Sequence, residues 1–165
     1  MKTISPQDLN NLQLQTLLQT AIAPRPIALA STIDKEGNIN LSPFSFFNLF
    51  SSNPPVVIFS PARRVRDNTT KHTLENVLEI PEVVIGIVNY KIVQQISLAS
   101  TEYSKAENEF IKSGLTMKDA DLIQPKLIDE CPVNLECKVL EVKPLGTEGG
   151  AGNLVICEII KIHVQ

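Results

Sequence analysis

The chain has 165 residues, 43% of them hydrophobic and 20% charged, which suits one folded domain with its own core and excludes disordered and fibrous classes. A formal charge of −3 provides no general basic face for nucleic acid, and no apolar run approaches the roughly 18 residues of a membrane span. Three cysteines without CxxC spacing or a nearby histidine support neither a disulfide framework nor zinc, and the N-terminus lacks a signal-peptide core, so a cytoplasmic protein with reduced thiols is expected.

Leu9, Leu12, Leu14, Leu17 and Leu18 recur at near-helical spacing, with Asp8 placed to cap the start, and predict a helix ending before Pro24. The run PIALASTI, a DKEGN turn able to supply a positive φ at Gly37 or Asn38, and an alternating run from Ile39 predict a hairpin. Asn53-Pro54-Pro55 breaks the chain before VVIFS, whose uninterrupted apolar character suits a third strand covered on both faces. TLENVLEI places Leu74, Val77 and Leu78 on one helical stripe and stops at Pro81, because a residue before proline is pushed out of the α region. EVVIGIVN follows as another buried strand. YKIVQQISLAS carries Ile92, Val93, Ile96 and Ala99 at helical intervals, and AENEFIKSG reads as a shorter helix closed by Gly114. From Cys131 onward, Val133, Leu135, Cys137 and Val139 alternate with polar residues, GTEGGAG turns, and NLVICEIIKIHV runs back as a second hairpin.

About six strands joined by both tight turns and helical crossovers favour a mainly β fold with interleaved helices, a Greek-key-like or split β-barrel, over a doubly wound parallel sheet. Neither GxGxxG nor GxxxxGKS/T occurs, so a Rossmann or P-loop fold has no support. No repeat, low-complexity tract or linker divides the chain, and residues 1–165 are expected to form a single domain.

Two stretches carry chemistry. The first, LSPFSFFNLFSSNPP, sets Phe44, Phe46, Phe47 and Phe50 among Ser42, Ser45, Asn48, Ser51, Ser52 and Asn53. A core strand does not need those polar groups and a solvated loop does not need those rings; the mixture suits a flat, partly apolar, hydrogen-bonding ligand. Strand alternation sends neighbours to opposite sides, so at least two of the rings are expected in the core or at a subunit contact. The second stretch, SPARRVRDNTTKHTLENV, gathers Arg63, Arg64, Arg66, Lys71 and His72 just before a predicted helix. A helix start offers unpaired N–H groups and the positive end of a dipole, and Asn68, Thr69, Thr70 and Thr73 add donors. Alone, this also describes a solvated basic loop with a capping threonine. With only VVIFS between them, the two stretches are expected to face one cleft and to suit a flat heteroaromatic head with a phosphate tail, the shape of flavin mononucleotide (FMN).

The order APRPIALASTIDKEGNINLSPFSFFNLFSSNPPVVIFS, KHT, VVIGIVN, PVNLECKVLEV and NLVICEIIKIHV resembles the flavin reductase-like, FMN-binding split-barrel family, and most of all its flavoredoxin-type branch. The resemblance covers nearly the whole chain from Ala23, and the PRPI, SPFSFFN and PP block is its most specific part. It implies a split β-barrel, FMN held noncovalently at a homodimer interface, and reduction of flavin by NAD(P)H. Position by position, it implies Arg25 and Thr32 beside the flavin, and Ser42, Phe44, Ser45 and Asn48 along the isoalloxazine ring and ribityl chain. It implies Ser60, Arg64, Lys71 and Thr73 at the phosphate, with the choice among Arg63, Arg64 and Arg66 left open by the loop. His72 departs from the aspartate of a KDT triplet, and family members continue past the strand matching EIIKIHV, so the chain is expected to lack their C-terminal segment.

Glu102, Glu107 and Glu109 read as solvated, His163 as exposed or packed, and Cys137 and Cys157 as small core residues. No Ser-His-Asp or Cys-His order stands out, and no catalytic side chain is assigned, because a flavin itself accepts hydride. Three functions compete. One is an FMN-dependent oxidoreductase that passes hydride from NADH or NADPH to flavin and onward to free flavin, a partner oxygenase or another acceptor protein. The others are an FMN-binding electron carrier without nicotinamide activity and a cofactor-free β-barrel interaction module. The anion socket suits the single phosphate of FMN more than FAD.

Overall fold

In the computed structural model, which describes residue 1 and residues 3–165, the first helix, α1 (Asn11–Ala21), starts at Asn10. A capping box holds it: the Asn10 side chain accepts from the Gln13 N–H at 2.9 Å, and the Gln13 side chain accepts from the Asn10 N–H at 3.1 Å. Asp8, expected to cap, lies instead in a 3-10 turn, Pro6–Asp8. No residue of α1 is buried, and Leu12, Leu17 and Leu18 face outward.

β1 (Ala28–Ile33) and β2 (Ile39–Phe44) form the first hairpin, paired from Ala28 with Phe44 to Ile33 with Ile39. Its turn places Gly37 at a φ of 88°, where a side chain would strain the backbone. The polar-aromatic stretch holds a strand that the sequence pattern does not announce, β3 (Phe47–Ser52), which folds back through Asn53-Pro54 onto β4 (Pro55–Phe59). β3 lies at the edge of the sheet and buries almost nothing, so it lacks the alternation that marks a half-buried strand. Then follow α2 (His72–Glu79), β5 (Glu82–Ile87), α3 (Val93–Ala99) and α4 (Glu109–Ser113), which Gly114 closes. A short pair, β6 (Met117–Lys118) and β7 (Leu127–Ile128), precedes the long hairpin of β8 (Val133–Pro144) and β9 (Asn153–Val164). On α2 the buried stripe is Leu74 and Val77; Leu78 faces solvent, contrary to expectation.

Seven strands make one sheet in the order β2-β1-β5-β8-β9-β4-β3, antiparallel throughout. The two outermost strands, β2 and β3, are joined by Ser45 and Phe46 alone. Laid flat, seven strands at ~4.8 Å spacing would hold their outer members about 29 Å apart, whereas the chain from Phe44 to Phe47 spans at most ~11 Å. The sheet must curl until its edges approach, and the result is a split β-barrel.

Alternation sorts side chains to two cores. Ala28, Ala30, Val83, Ile85, Phe59 and Cys157 point into the barrel, where Leu74 and Val77 of α2 join them. Leu29, Leu41 and Val84 point the other way, under Ile92, Ala99, Phe110 and Ile128 of the helical layer and β7. Coverage on both faces accounts for the apolar VVIGI run of β5, whereas VVIFS, expected to be covered on both faces, buries Val57 and Phe59 and leaves Val56 and Ile58 half-buried. Cys131, Cys137 and Cys157 are free and buried, and burial pushes the Cys131 and Cys137 thiols up to about 12. Among the described residues no helix is long and apolar enough to cross a membrane.

Candidate functional site

Two adjoining hollows hold seven of the ten residues expected at the site. The smaller, of about 300 Å³, takes Ser42 from β2, Arg64 and Arg66 from the loop after β4, Lys71, His72 and Thr73 from the start of α2, and Glu102 and Glu109 from the helical layer. The larger, of about 690 Å³, lies between α1 and the β8–β9 turn and includes Arg25, Ser45 and Asn48. Val65 lines both. The single cleft expected from the sequence is thus two neighbouring concavities, one gathering the phosphate-type residues with Ser42 and the other the rest of the ring-type residues.

The loop from Arg63 to Thr70 is pinned by its own backbone. Arg63 N–H donates to the Ala151 carbonyl at 2.8 Å, Gly150 N–H to the Arg63 carbonyl at 2.9 Å, and Arg64 N–H to the Thr69 carbonyl at 2.9 Å. The Arg63 guanidinium turns back and donates to Asn68 Oδ1 at 2.6 Å, so Arg63 closes the loop and lines neither hollow. Arg64 is half-buried on the wall of the smaller hollow, with Nε 2.9 Å from Glu102 and Nη1 donating to Thr69 Oγ1 at 3.1 Å and to the Thr70 carbonyl. Arg66 is largely exposed and pairs with Asp67 and Glu102. The sequence left these three arginines undivided because only the loop's folded path separates their directions.

Lys71 is the cation without an answer. It is half-buried and forms no ion pair among the described residues, and its Nζ lies 5.3 Å from the centre of the Phe44 ring. Burial, and then the like charge of Arg64, push its pKa down. The charge of Glu102 on the same hollow offsets only part of that push, and a half-buried ammonium outside any ion pair is costly, a cost an anion would relieve. The N-cap of α2 is Lys71, with no side-chain cap, so the alternative of a threonine serving only as a cap does not hold. Thr73 is 1% exposed and shares a 2.8 Å hydrogen bond with the Asn40 side chain.

The larger hollow is mostly apolar, with Leu14 and Leu18 of α1 and Ile22 just after it on one side and Phe46 and Phe47 on the other. Its one cation is Arg25, framed by Pro24 and Pro26, which donates to Ser45 Oγ at 2.8 Å and lies 5.7 Å over the Phe46 ring. Of the expected ring contacts, only Ser45 and Asn48 reach this hollow with Arg25.

Thr32, Phe44 and Ser60 line neither hollow. Thr32 is fully buried and accepts from Asn76 Nδ2 at 3.1 Å, which ties β1 to α2. Phe44 belongs to the barrel core, its ring centre 5.3 Å from that of Phe59; Ser42 lies on the same face of β2 two residues earlier, where that face borders the smaller hollow. Ser60 is nearly buried at the end of β4 and packs so close to Gly152 that a Cβ there would fall 2.6 Å from its Oγ. All three hold walls in place.

Glu109 corrects the sequence expectation most plainly. It is 5% exposed, accepts from the Leu41 N–H at 3.1 Å, and has its carboxyl pushed up by burial. A glutamate in the first turn of a short helix looks solvated in sequence, and only the packing of α4 on β2 encloses it. Glu102 is exposed, as expected, and is also the counter-ion shared by Arg64 and Arg66. His163 is packed, as expected, 2.7 Å from the buried Glu136. Burial pushes that carboxyl up, but the N–H groups of Asp121 and Leu122 and the His163 ring outweigh it and hold it low. The Glu136 carboxylate is thereby fully occupied as a structural clasp.

Residues 20–165 match the flavin reductase like domain. The chain belongs to the flavin reductase-like family. This flavin reductase-like protein is 37% identical over 132 residues to an uncharacterized protein of Aquifex aeolicus, across 80% of this chain and 67% of the relative. It is 33% identical over 163 residues to the uncharacterized protein BH2278 of Halalkalibacterium halodurans, across 98% and 78%. Among solved structures it superposes on nitrilotriacetate monooxygenase component B from Bacillus cereus with a TM-score of 0.93 and 29% identity, covering 99% of this chain and 81% of that one. Flavoredoxin of Desulfovibrio vulgaris (Miyazaki F), at a TM-score of 0.73 and 20% identity over 87% of this chain and 72% of its own, shares the fold. Membership places the protein among flavin-related oxidoreductases and agrees with the split barrel derived above.

Proposed function

We propose that this flavin reductase-like protein binds FMN across the two hollows and takes hydride from NADH or NADPH, acting as a homodimer in the cytoplasm. The observation that carries the proposal is Lys71, a half-buried cation in no ion pair among the described residues, at the start of α2 and in a hollow that shares Val65 with a mostly apolar one. Lys71, Arg64, Thr73 and Ser42 would hold the phosphate end. Arg25, Ser45 and Asn48 would border the ring end, where leucines of α1 and Phe46 exclude water. Flavin supplies the hydride-accepting chemistry when bound, so the residues of the chain have only to bind, orient and neutralise.

A single compact charged hollow supports one phosphate, hence FMN over FAD. Exposed Leu49 and Phe50 on edge strand β3, and exposed leucines of α1, supply apolar surface for a second copy. The likeness to a component B of a monooxygenase supports onward transfer to a partner oxygenase. The decisive experiment is an absorption spectrum of the purified protein, then anaerobic addition of NADH or NADPH. A yellow protein that bleaches supports the proposal, and one that stays yellow is a carrier. A colourless protein that gains no thermal stability from FMN overturns flavin binding, since a ligand selective for the native state must stabilise it.

A further inference from the structure

A chain of three side chains leads from the buried edge of β2 to the wall of the smaller hollow. Glu109 Oε2 accepts from the Leu41 N–H, and Oε1 lies 3.2 Å from one terminal atom of the Asn40 amide. The other terminal atom of that amide lies 2.8 Å from Thr73 Oγ1. A half-turn of the amide exchanges its oxygen and nitrogen while both positions stay filled, so one geometry serves two proton arrangements. With Glu109 ionised, Asn40 Nδ2 donates to the carboxylate and Asn40 Oδ1 accepts the Thr73 hydroxyl proton. With Glu109 protonated, the acid donates to Asn40 Oδ1, Nδ2 donates to Thr73, and the hydroxyl proton is free for an acceptor in the hollow.

We propose that Glu109 is a positioning residue for the flavin phosphate: its proton, relayed through Asn40, decides whether Thr73 donates to that anion. The relay rests on the reading above, in which Lys71 and Thr73 meet the phosphate. Burial pushes the Glu109 carboxyl up against the pull of the Leu41 N–H, and the charge of Glu107 adds to the rise. Of the neighbouring charges, Glu107 is paired with Lys112 at 2.7 Å and Lys105 with Asp34 at 3.1 Å. His72 and Lys71 face the same space from α2, and Arg64, Arg66 and Glu102 complete the wall; β2 offers only the uncharged Asn40 and Ser42. Since the protonated form leaves the hydroxyl free, FMN binding draws in a proton, and affinity falls as pH rises through the carboxyl's pKa in the free protein.

The test is calorimetric titration of the flavin-free protein with FMN from about pH 5 to about pH 8.5, in buffers of different ionisation enthalpy, for the wild type, Glu109→Gln and Thr73→Val. The carboxamide of Glu109→Gln donates to Asn40 at every pH, and the ligand is the same for both proteins, so the ratio of their affinities reads the effect of Glu109. The two proteins should bind equally at low pH, and Glu109→Gln should bind about tenfold tighter at high pH, the worth of one hydrogen bond to a charged group. Wild type should take up a proton that Glu109→Gln does not. If Glu109→Gln fails to fold, Thr73→Val decides alone: the proton uptake must vanish. A ratio independent of pH, or uptake retained in either variant, overturns the relay while FMN binding stands. No binding of FMN by the wild type at any pH overturns the phosphate reading beneath it.

Discussion

The two hollows are built by different parts of the chain and held by different forces. In the smaller one, backbone hydrogen bonds fix the loop that carries Arg64, Glu102 neutralises that arginine, and Lys71 forms no ion pair among the described residues. The larger one is shaped by exposed leucines of α1 and the aromatic splice between β2 and β3, with Arg25 as its single fixed cation. Electrostatics is prepared before ligand binding in the first and shape in the second. A ligand that unites a compact anion with a flat apolar body draws on both, and neither hollow alone accounts for it.

The sharpest way to break this contrast is Lys71→Met. FMN affinity should drop by about a hundredfold, while the ligand-free protein melts at a higher temperature because methionine fills the space without a buried charge. A lower melting temperature with affinity intact would make Lys71 a structural residue and remove the asymmetry between the hollows. Arg25→Met acts on the other side. It should weaken FMN by about tenfold through loss of one directed guanidinium, leave the melting temperature unchanged, and alter the shape of the bound flavin's absorption band. Equal effects of both substitutions on the absorption band would erase the division of labour. Glu102→Gln sharpens the comparison most gently: freeing Arg64 and Arg66 should tighten FMN about threefold at low ionic strength, and the gain should vanish in about 0.5 M salt.

Most of the barrel was legible in the sequence because its strands obey simple rules. The DKEGN turn, the apolar run of β5 and the long alternating β8–β9 hairpin each follow from turn chemistry or from burial on one or both faces. β3 escaped because an exposed edge strand has no burial pattern, and β6–β7 because two-residue strands have no period. At the site, residue types located the right segments, yet side-chain direction depends on packing that sequence spacing does not encode. Phe44 turned into the core while Ser42, two residues earlier on β2, reached the smaller hollow, and Arg63 folded back while Arg64 did not. Glu109 was misjudged for the same reason: its burial comes from a contact with β2 that lies 68 residues away in sequence.

The splice of Ser45 and Phe46 joins the first and last strands of the sheet and also lines the larger hollow. Whatever settles against those two residues presses on both margins of the sheet at once. Under the proposed function, the ring end of the flavin would rest on the same two-residue link that holds the margins of the barrel together.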